Sequence, residues 1–257
     1  MSRSLKMSAV LSIALLALGA TQEAGAPKRV IFAMGGWKTA KDALPLMRAF
    51  VALTGKPNPK VCLLPTAAGD SAESIVSWYD LMNQLECRPR HLRLFQPSKV
   101  NDFEEVLLDM DAIFVGGGNT LNMLAIWKEQ GIDKVLHKAW KKGIVLGGAS
   151  AGAICWFEQG CTDSRPGKLT GMACLGWLPG SACPHFDLEK RRSAYHELVL
   201  AGELKDGIAC DEGVGVVYEG EKLVRVVSSL PKAKAYAVRR QEDKVSTTDF
   251  ETEVLGK

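Results

Sequence analysis

The sequence is best understood from one glycine-rich turn, Gly147-Gly148-Ala149-Ser150-Ala151-Gly152. This turn follows the apolar run 144–146 and precedes a segment, 151–157, that has a helical composition. A serine between two glycines at a strand-to-helix turn is typical of a nucleophile elbow. Such a turn is so tight that a side chain at Gly148 or Gly152 would collide with the backbone. The motif therefore predicts that the Ser150 hydroxyl is held at the end of a sheet, beside a helix N-terminus that favours negative charge.

Strands and helices alternate before this turn. Strand-like apolar runs lie at 29–34, 60–65, 91–95 and 112–115, and helical spacing is found at 40–53, 71–85, 120–130 and 132–142. The alternation predicts an α/β fold with three layers, in which a mostly parallel sheet has helices on both faces. Glycine-rich turns at 35–36, 116–118 and 147–148 follow three of the strands. Because sites in such sheets form at the carboxyl ends of the strands, we expect these turns to border the functional site.

The pattern changes in the last third of the chain. Residues 165–181 are rich in glycine, proline and small side chains, and 190–200 read as one more helix. Short strands are predicted at 207–211, 215–218, 223–228 and 233–239, paired antiparallel at one edge of the sheet. From about residue 241 the sequence is polar and is predicted to be a mobile tail with room for one more short strand.

Composition and charge narrow the function classes. Hydrophobic residues make up 47% of the 257 residues and charged residues 24%, which is the usual balance of a soluble globular protein. The net charge of +3 and the absence of a basic run argue against a nucleic-acid partner. No linker composition appears after residue 27, so residues 27–257 are predicted to form a single domain.

The first 26 residues have the order of a secretory signal peptide. Arg3 and Lys6 precede the uncharged run 7–20, and small residues follow at 24–26. The apolar run is too short to span a membrane, so no membrane span is expected in the mature chain. This segment favours export to the periplasm or the extracellular space. None of the seven cysteines forms a C-x-x-C pair, so the sequence predicts no zinc site and assigns no disulfide.

A nucleophilic serine needs a base, and the chain has four histidines. His185 lies in a loop, where Pro184 restricts the backbone before it and Phe186 supplies an apolar neighbour that could fix the ring. A loop histidine held by packing suits catalysis better than the others do. The remaining three are less suitable, because they open a predicted strand or lie within predicted helices: His91, His137 and His196.

An acid must orient the histidine, and the residues alone leave its identity open. The candidates are Asp163, Asp187, Asp211 and Glu212. Adjacent strand residues face opposite ways, so only one of Asp211 and Glu212 can point into the site. The order serine, histidine, acid also differs from the α/β-hydrolase fold, in which the histidine comes last.

Four motifs, taken together, resemble one known family. They are Val115-Gly116-Gly117-Gly118-Asn119-Thr120, Gly148-Ala149-Ser150-Ala151-Gly152, Pro184-His185-Phe186 and Glu212-Gly213. In order and spacing they resemble the peptidase E family, which comprises serine hydrolases with a class I glutamine amidotransferase-like fold that are related to cyanophycinases. The resemblance covers roughly residues 28–240.

The resemblance implies a role for each matching residue. Ser150 would be the nucleophile, His185 the general base, and Glu212 the third member of the triad. The backbone N–H groups of Ala151 and Gly117 would form the oxyanion hole. No cofactor and no metal are implied.

The resemblance also implies a substrate, namely dipeptides that begin with aspartate. Asn119 is expected to position the peptide. An acidic side chain requires a cation, and Arg191 and Arg192 are the nearest candidates, with Arg165 a weaker one. The expected partner is therefore a small peptide, and a homodimer is left open.

The same residues are compatible with two alternatives. One is a related serine hydrolase, of cyanophycinase type or an esterase, and the other is a non-catalytic amidotransferase-like binding domain. The resemblance favours the cytoplasm, whereas the N-terminal segment favours export.

Overall fold

A computed structural model describes residues 27–95 and 102–256, and two β-sheets organise them. The strands are β1 (Val30–Met34), β2 (Lys60–Leu64), β3 (Arg88–His91), β4 (Ala112–Val115), β5 (Val145–Ala149), β6 (Phe157–Thr162), β7 (Thr170–Ala173), β8 (Leu178–Cys183), β9 (Gly207–Cys210), β10 (Val214–Glu219), β11 (Lys222–Ser228), β12 (Ala235–Gln241), β13 (Lys244–Asp249) and β14 (Glu253–Val254). The helices are α1 (Ala40–Ala52), α2 (Ala72–Met82), α3 (Phe103–Leu108), α4 (Thr120–Gln130), α5 (Ile132–Lys141), α6 (Ala151–Ile154) and α7 (Glu189–Leu200).

The first sheet has eight strands in the order β14-β11-β10-β1-β5-β4-β2-β3. Its centre is parallel, because β1, β5, β4, β2 and β3 all run in one direction. At one edge, β10 is antiparallel to β1 and β11 is antiparallel to β10. Every residue of β1 and β5 is buried, which explains why these strands are continuous apolar runs rather than alternating ones.

Both faces of this sheet are covered, as the sequence predicted for a three-layer α/β fold. On one face α1 and α2 bring Phe50 and Trp78 against Phe32 and Phe114. On the other face α4 and α5 pack together with the second sheet, in a core that includes Trp127 and Trp156. The carboxyl ends of the central strands are left free to form a site.

The second sheet was not predicted. It has six strands in the order β13-β12-β9-β8-β6-β7, and α7 packs on it through a separate apolar core. The helix predicted over 151–157 ends at Ile154, and β6 begins at Phe157. The glycines of this region look like loop residues in the sequence, but they allow strands to approach closely. A Cβ on Gly207, for example, would lie 1.9 Å from the Ser181 carbonyl oxygen.

The four late strands divide between the two sheets, so the prediction that they share one edge is wrong. Strands β10 and β11 form the antiparallel edge of the first sheet, whereas β9 and β12 belong to the second. The predicted third strand is also misplaced, since β3 occupies Arg88–His91 rather than 91–95. The polar segment after 241, predicted as a mobile tail, contains two strands: β13 pairs with β12, and β14 pairs with β11.

The predicted signal peptide, residues 1–26, lies outside the described residues and stays a prediction, as do the domain boundaries drawn from it. In the part of the chain that the structure describes, no helix is long and apolar enough to cross a membrane.

Candidate active site

Ser150 occupies the tight turn between β5 and α6. Its φ of +56° and ψ of −112° are unusual for a residue that has a side chain. A Cβ on Gly148 would lie 2.3 Å from the Gly152 carbonyl oxygen, and one on Gly152 would lie 2.1 Å from that of Val115. As predicted, a side chain at either glycine would collide with the backbone. The turn holds the Ser150 hydroxyl at the carboxyl edge of the first sheet.

His185 lies just after β8, and the backbone fixes its position. Its φ is +53°, and its N–H donates to the Gly35 carbonyl oxygen at 3.1 Å. The ring rests on Gly36, where a Cβ would lie 2.4 Å from His185 Cε1. The next residue, Phe186, is fully buried, and its ring packs against Tyr195 and Tyr236. These contacts do not include the His185 ring; Phe186 instead anchors the chain next to the histidine in an apolar core.

A chain of hydrogen bonds joins three of the predicted residues. His185 Nε2 lies 2.9 Å from Ser150 Oγ, and His185 Nδ1 lies 3.0 Å from Glu212 Oε1. The topology explains this meeting, because β8 and β9 are parallel neighbours that end at Cys183 and Cys210. His185 lies two residues after the end of β8, and Glu212 lies two residues after the end of β9. A nucleophile, a base and an orienting acid in this geometry can carry out acyl transfer.

The structure brings Glu212 to the histidine and turns Asp211 away. Asp211 is buried, and its Oδ2 accepts hydrogen bonds from the Lys234 N–H at 3.0 Å and the Tyr236 hydroxyl at 3.2 Å. Burial raises the pKa of the Asp211 carboxyl. The other two acids have different partners. Asp187 Oδ1 accepts a hydrogen bond from the Glu212 N–H at 2.9 Å, and Asp163 forms an ion pair with Arg191.

The environment of His185 favours its neutral form. Burial is the largest effect and lowers the pKa of the imidazole below its usual value of 6.5, while the hydrogen bond to Glu212 opposes the shift. The nearby Arg191 guanidinium lowers the pKa further. A neutral imidazole beside a serine hydroxyl can accept its proton.

Two backbone N–H groups border the serine. A Cβ on Gly117 would lie 3.3 Å from Ser150 Cβ, and Ala151 is the next residue in the chain. Within residues 27–95 and 102–256, the N–H groups of Gly117 and Ala151 donate to no protein acceptor. The Gly117 turn is anchored by Asn119, whose N–H donates to the Ala67 carbonyl oxygen at 2.8 Å. The oxyanion hole expected from these two N–H groups stays a prediction.

The predicted substrate-binding side chains all have partners within the protein. Asn119 caps α4, since its Oδ1 accepts the Asn122 N–H at 2.9 Å, and its Nδ2 donates to the Ser164 carbonyl oxygen at 3.1 Å. Arg191 Nη2 lies 2.6 Å from Asp163 Oδ2. Contact of Asn119 and Arg191 with a substrate stays a prediction.

The other two arginines support local structure. The Arg192 guanidinium lies over the Phe186 ring, 4.9 Å from its centroid, and Nε donates to the Phe186 carbonyl oxygen at 3.3 Å. Arg165 Nη1 donates to Thr170 Oγ1 at 3.2 Å. Arg192 therefore steadies the loop that carries His185, whatever contact it makes with a peptide.

The remaining histidines have their own neighbours. His91 ends β3 rather than opening a strand, and its Nδ1 lies 2.9 Å from the Tyr79 hydroxyl. The ring centroids of His137 and Trp177 lie 5.0 Å apart. His196 Nε2 lies 3.0 Å from Thr247 Oγ1. Across the described residues, no group of three His, Cys, Asp or Glu side chains is placed to hold a metal ion.

Sequence reasoning missed Lys38 and a cavity beside it. Lys38 Nζ lies 3.6 Å from Glu212 Oε2 and 3.5 Å from Asp187 Oδ2. A lysine two residues after Gly36 carries no motif, although its place just beyond a glycine turn at a strand end was a usable signal. The cavity, of about 400 Å³, reaches Gly117 and Ala149 at the elbow.

The chain is similar to known peptidases. The model of Peptidase family S51 matches residues 30–226. The uncharacterized peptidase YgaJ of Bacillus subtilis (strain 168) is 44% identical over 223 residues, which cover 86% of this chain and 96% of that protein. A cyanophycinase of Synechococcus elongatus is 23% identical over 218 residues, or 80% of this chain and 68% of that protein.

Two solved structures share the fold. A peptidase from an acI-B1 Actinobacterium superposes with a TM-score of 0.64 at 18% identity, covering 88% of this chain and 98% of that one. A putative peptidase E protein from Listeria monocytogenes EGD-e gives a TM-score of 0.59 at 19% identity, covering 77% of this chain and 97% of that one.

Proposed function

The chain belongs to peptidase family S51, and on that premise we propose that it is a serine-type peptidase that hydrolyses small peptides through Ser150. The observation that carries the proposal is the continuous hydrogen-bonded chain from Ser150 Oγ through the His185 imidazole to Glu212, with distances of 2.9 and 3.0 Å. A serine hydroxyl is a weak nucleophile until an adjacent base takes its proton. The largely buried imidazole of His185, whose pKa is lowered by burial, is the base that we propose takes this proton.

In the first half of the reaction, Ser150 Oγ attacks the carbonyl carbon of the scissile bond as its proton passes to His185 Nε2. The negative charge that develops on the carbonyl oxygen is stabilised by the N–H groups of Gly117 and Ala151. Glu212 accepts a hydrogen bond from Nδ1, which keeps Nε2 free as the acceptor and stabilises the imidazolium. Collapse of the tetrahedral intermediate breaks the C–N bond, and the leaving amine takes the proton from His185.

In the second half, a water molecule attacks the ester that joins the acyl group to Ser150. His185 accepts the proton of the water and then returns it to Ser150 Oγ. The products are an amino acid or a shortened peptide with a new carboxylate, and the regenerated enzyme. Every proton transfer uses His185 Nε2, so one base serves both halves of the cycle.

For the substrate, we propose dipeptides with an N-terminal aspartate, bound through Arg191. The Arg191 side chain is only 12% exposed, whereas its partner Asp163 is 65% exposed. A substrate carboxylate could therefore replace the solvated Asp163 at a fixed guanidinium, which suits carboxylates because it binds them bidentately. Arg191 also lies close enough to lower the pKa of His185.

The test is hydrolysis of X-Leu dipeptides, with X as Asp, Glu, Asn, Ala or Arg, by the wild type and by Ser150→Ala. We expect Asp-Leu to be cleaved fastest and the variant to lose at least roughly 10⁴-fold in kcat, as when a triad serine is removed from other enzymes. Thermal melting of both proteins is the control that checks whether the variant is folded. Turnover that survives the substitution would place the chemistry elsewhere.

A second candidate is a cyanophycinase-type activity, which the 23% identity to a cyanophycinase favours. It would use the same Ser150 and His185 on a β-aspartyl-arginine polymer. If no dipeptide is cleaved but a fluorophosphonate still labels Ser150, this polymer and simple esters are the next substrates. A non-catalytic binding domain would show neither labelling nor turnover.

A further inference from the structure

The cavity beside the elbow is walled by aromatic and aliphatic side chains. It measures about 400 Å³ and lies between the first sheet and the helices α1 and α2. The large side chains of its apolar wall are those of Trp37, Met47, Leu63, Trp78, Leu81 and Phe114. The Phe114 ring is stacked between Trp37 and Trp78, with centroid distances of 6.2 and 5.6 Å. A cavity of this size is within the range of pockets that bind small ligands.

Several polar groups of the cavity have hydrogen-bond partners elsewhere in the protein. The Trp78 indole N–H donates to the Arg90 carbonyl oxygen at 3.0 Å, and the Ser74 hydroxyl lies 2.8 Å from that of Ser71. Thr39 caps α1. Among the described residues that line the cavity, Lys38 is the one charged side chain. An apolar occupant therefore gains the most from this cavity, because it buries its surface and leaves few polar groups unpaired.

The position of the cavity bears on the part of a dipeptide that departs with the amine when the peptide bond is cleaved. The leaving amine must come within reach of His185 Nε2 to take its proton. Trp37 and Lys38 directly follow Gly36, on which the His185 ring rests. Lys38 Nζ also lies 3.6 Å from Glu212 Oε2. The cavity therefore shares Lys38 with the surroundings of Glu212, whereas Arg191, whose charge acts on the histidine, lies in α7.

Lys38 supplies a charge suited to a free C-terminus. Its side chain is 62% exposed, and its ammonium can donate three hydrogen bonds. In a dipeptide, the residue that leaves carries a free carboxylate next to the amine that His185 protonates. An exposed lysine in the lining of an apolar cavity matches that arrangement of charge and side chain.

We propose that this cavity binds the side chain of the released residue, the second residue of a dipeptide, while Lys38 pairs with the free carboxylate of that residue. The inference rests on the proposed function and extends it to a substrate class, namely dipeptides whose second residue is large and apolar, such as leucine or phenylalanine. Ser150 would then be flanked by a cationic site for the first side chain and an apolar site for the second.

The test measures binding rather than turnover, in the Ser150→Ala background, by titration calorimetry with Asp-Ala, Asp-Leu and Asp-Phe. Full burial of a phenylalanine side chain should tighten binding roughly 10- to 100-fold relative to alanine. Ser77→Trp, on the exposed surface of α2 where Ser77 borders the cavity, should remove this preference. Val76→Trp is the matched control, because Val76 is 58% exposed and lies outside the cavity lining.

Lys38 is tested separately with Lys38→Met and dipeptides whose C-terminus is either free or amidated. The variant should weaken binding of the free acid and leave binding of the amide unchanged. Equal loss for both ligands would overturn the role of Lys38.

The outcomes separate the inference from the proposed function. Equal affinities for Asp-Ala and Asp-Phe, no detectable binding of any of the three, or a preference that survives Ser77→Trp would overturn the cavity assignment. If the preference is present but the wild type neither cleaves peptides nor reacts with a fluorophosphonate, the cavity assignment holds and the serine-peptidase proposal fails.

Discussion

Ser150 and His185 both have positive φ values, +56° and +53°, which side-chain-bearing residues rarely adopt. Such conformations cost on the order of 1–3 kcal/mol each and persist only where the surrounding structure enforces them. Here the enforcing contacts are visible, since Ser150 N–H donates to the Met34 carbonyl oxygen and His185 N–H to that of Gly35. Among the described residues, Asn58, Asp70 and Glu242 also have positive φ values. Ser150 and His185 are the two of these five whose side chains meet, at 2.9 Å, so both proposed reacting groups are held by an uncommon backbone conformation.

The neighbouring acids Asp211 and Glu212 give a matched pair of substitutions. Glu212→Gln should reduce kcat by roughly 10²- to 10⁴-fold, because an amide can stabilise the wrong imidazole tautomer. Asp211→Asn should retain turnover, since Asp211 faces Lys234 and Tyr236 instead of the histidine. Steady-state kinetics on one dipeptide decide this, with melting temperatures as the check on folding. Equal losses in both variants would contradict the assignment of Glu212.

The pH dependence follows from the neutral state that burial favours in His185. Because its pKa is lowered, the base form prevails above that pKa, and kcat/KM should fall in acid with a midpoint below pH 6.5. The Glu212 hydrogen bond raises the pKa, so the residual activity of Glu212→Gln should have its acid limb at still lower pH. A midpoint in the variant at higher pH than in the wild type would show that Glu212 does not stabilise the imidazolium.

At the level of secondary-structure elements, the turns at strand ends control the site more than the strands do. The turn after β1 gives a direct test, because a Cβ on Gly36 would lie 2.4 Å from His185 Cε1. Gly36→Ala should displace the imidazole and reduce kcat/KM by roughly 100-fold, the usual cost of a misplacement of about 1 Å.

The control for Gly36 is Gly131→Ala, between α4 and α5. Gly131 also has a positive φ, +73°, but no atom lies within 4 Å of an added Cβ. The substitution should cost about 1 kcal/mol of unfolding free energy without changing turnover. If Gly131→Ala lowered kcat/KM as much as Gly36→Ala, contact with His185 would not be the cause.

The predictability of each element follows from its burial. Strands β1, β2, β4 and β5 were found in the sequence because both faces are covered and their residues form apolar runs. Strand β3, Arg-Pro-Arg-His, lies at the sheet edge and has no such run. The second sheet was missed because glycines at positions such as 160 and 207 serve close packing there rather than turns.

The site was predictable to a similar degree. The elbow and the loop histidine each carry a local pattern, so the amino-acid sequence is sufficient to single out Ser150 and His185. The choice between Asp211 and Glu212 depends on which of two adjacent residues faces the parallel neighbour β8, and the residue types alone do not specify that. The apolar cavity brings together residues from 37 to 149, so no local pattern reveals it.

At the level of the whole molecule, the second sheet supports the base and the acid. Strand β12 of this sheet pairs with β9, which ends two residues before Glu212, and β13 pairs with the other edge of β12. Removal of residues 244–257 should therefore lower the melting temperature by about 5 °C or more and reduce kcat/KM as well. Removal of 256–257 alone, beyond the last paired strand, is the control and should change neither. If the protein that lacks residues 244–257 kept full activity, pairing of β13 with β12 would not be needed to hold Glu212 in place.

The proposed nucleophile comes from one sheet, and the base and acid come from the other. Ser150 follows β5 in the first sheet, whereas His185 and Glu212 follow β8 and β9 in the second. The first sheet also contains β10, β11 and β14, which follow β8 and β9 in the sequence, so the strands of the two sheets are interleaved along the chain. Assembly of the proposed catalytic group therefore requires both sheets to be formed and packed together.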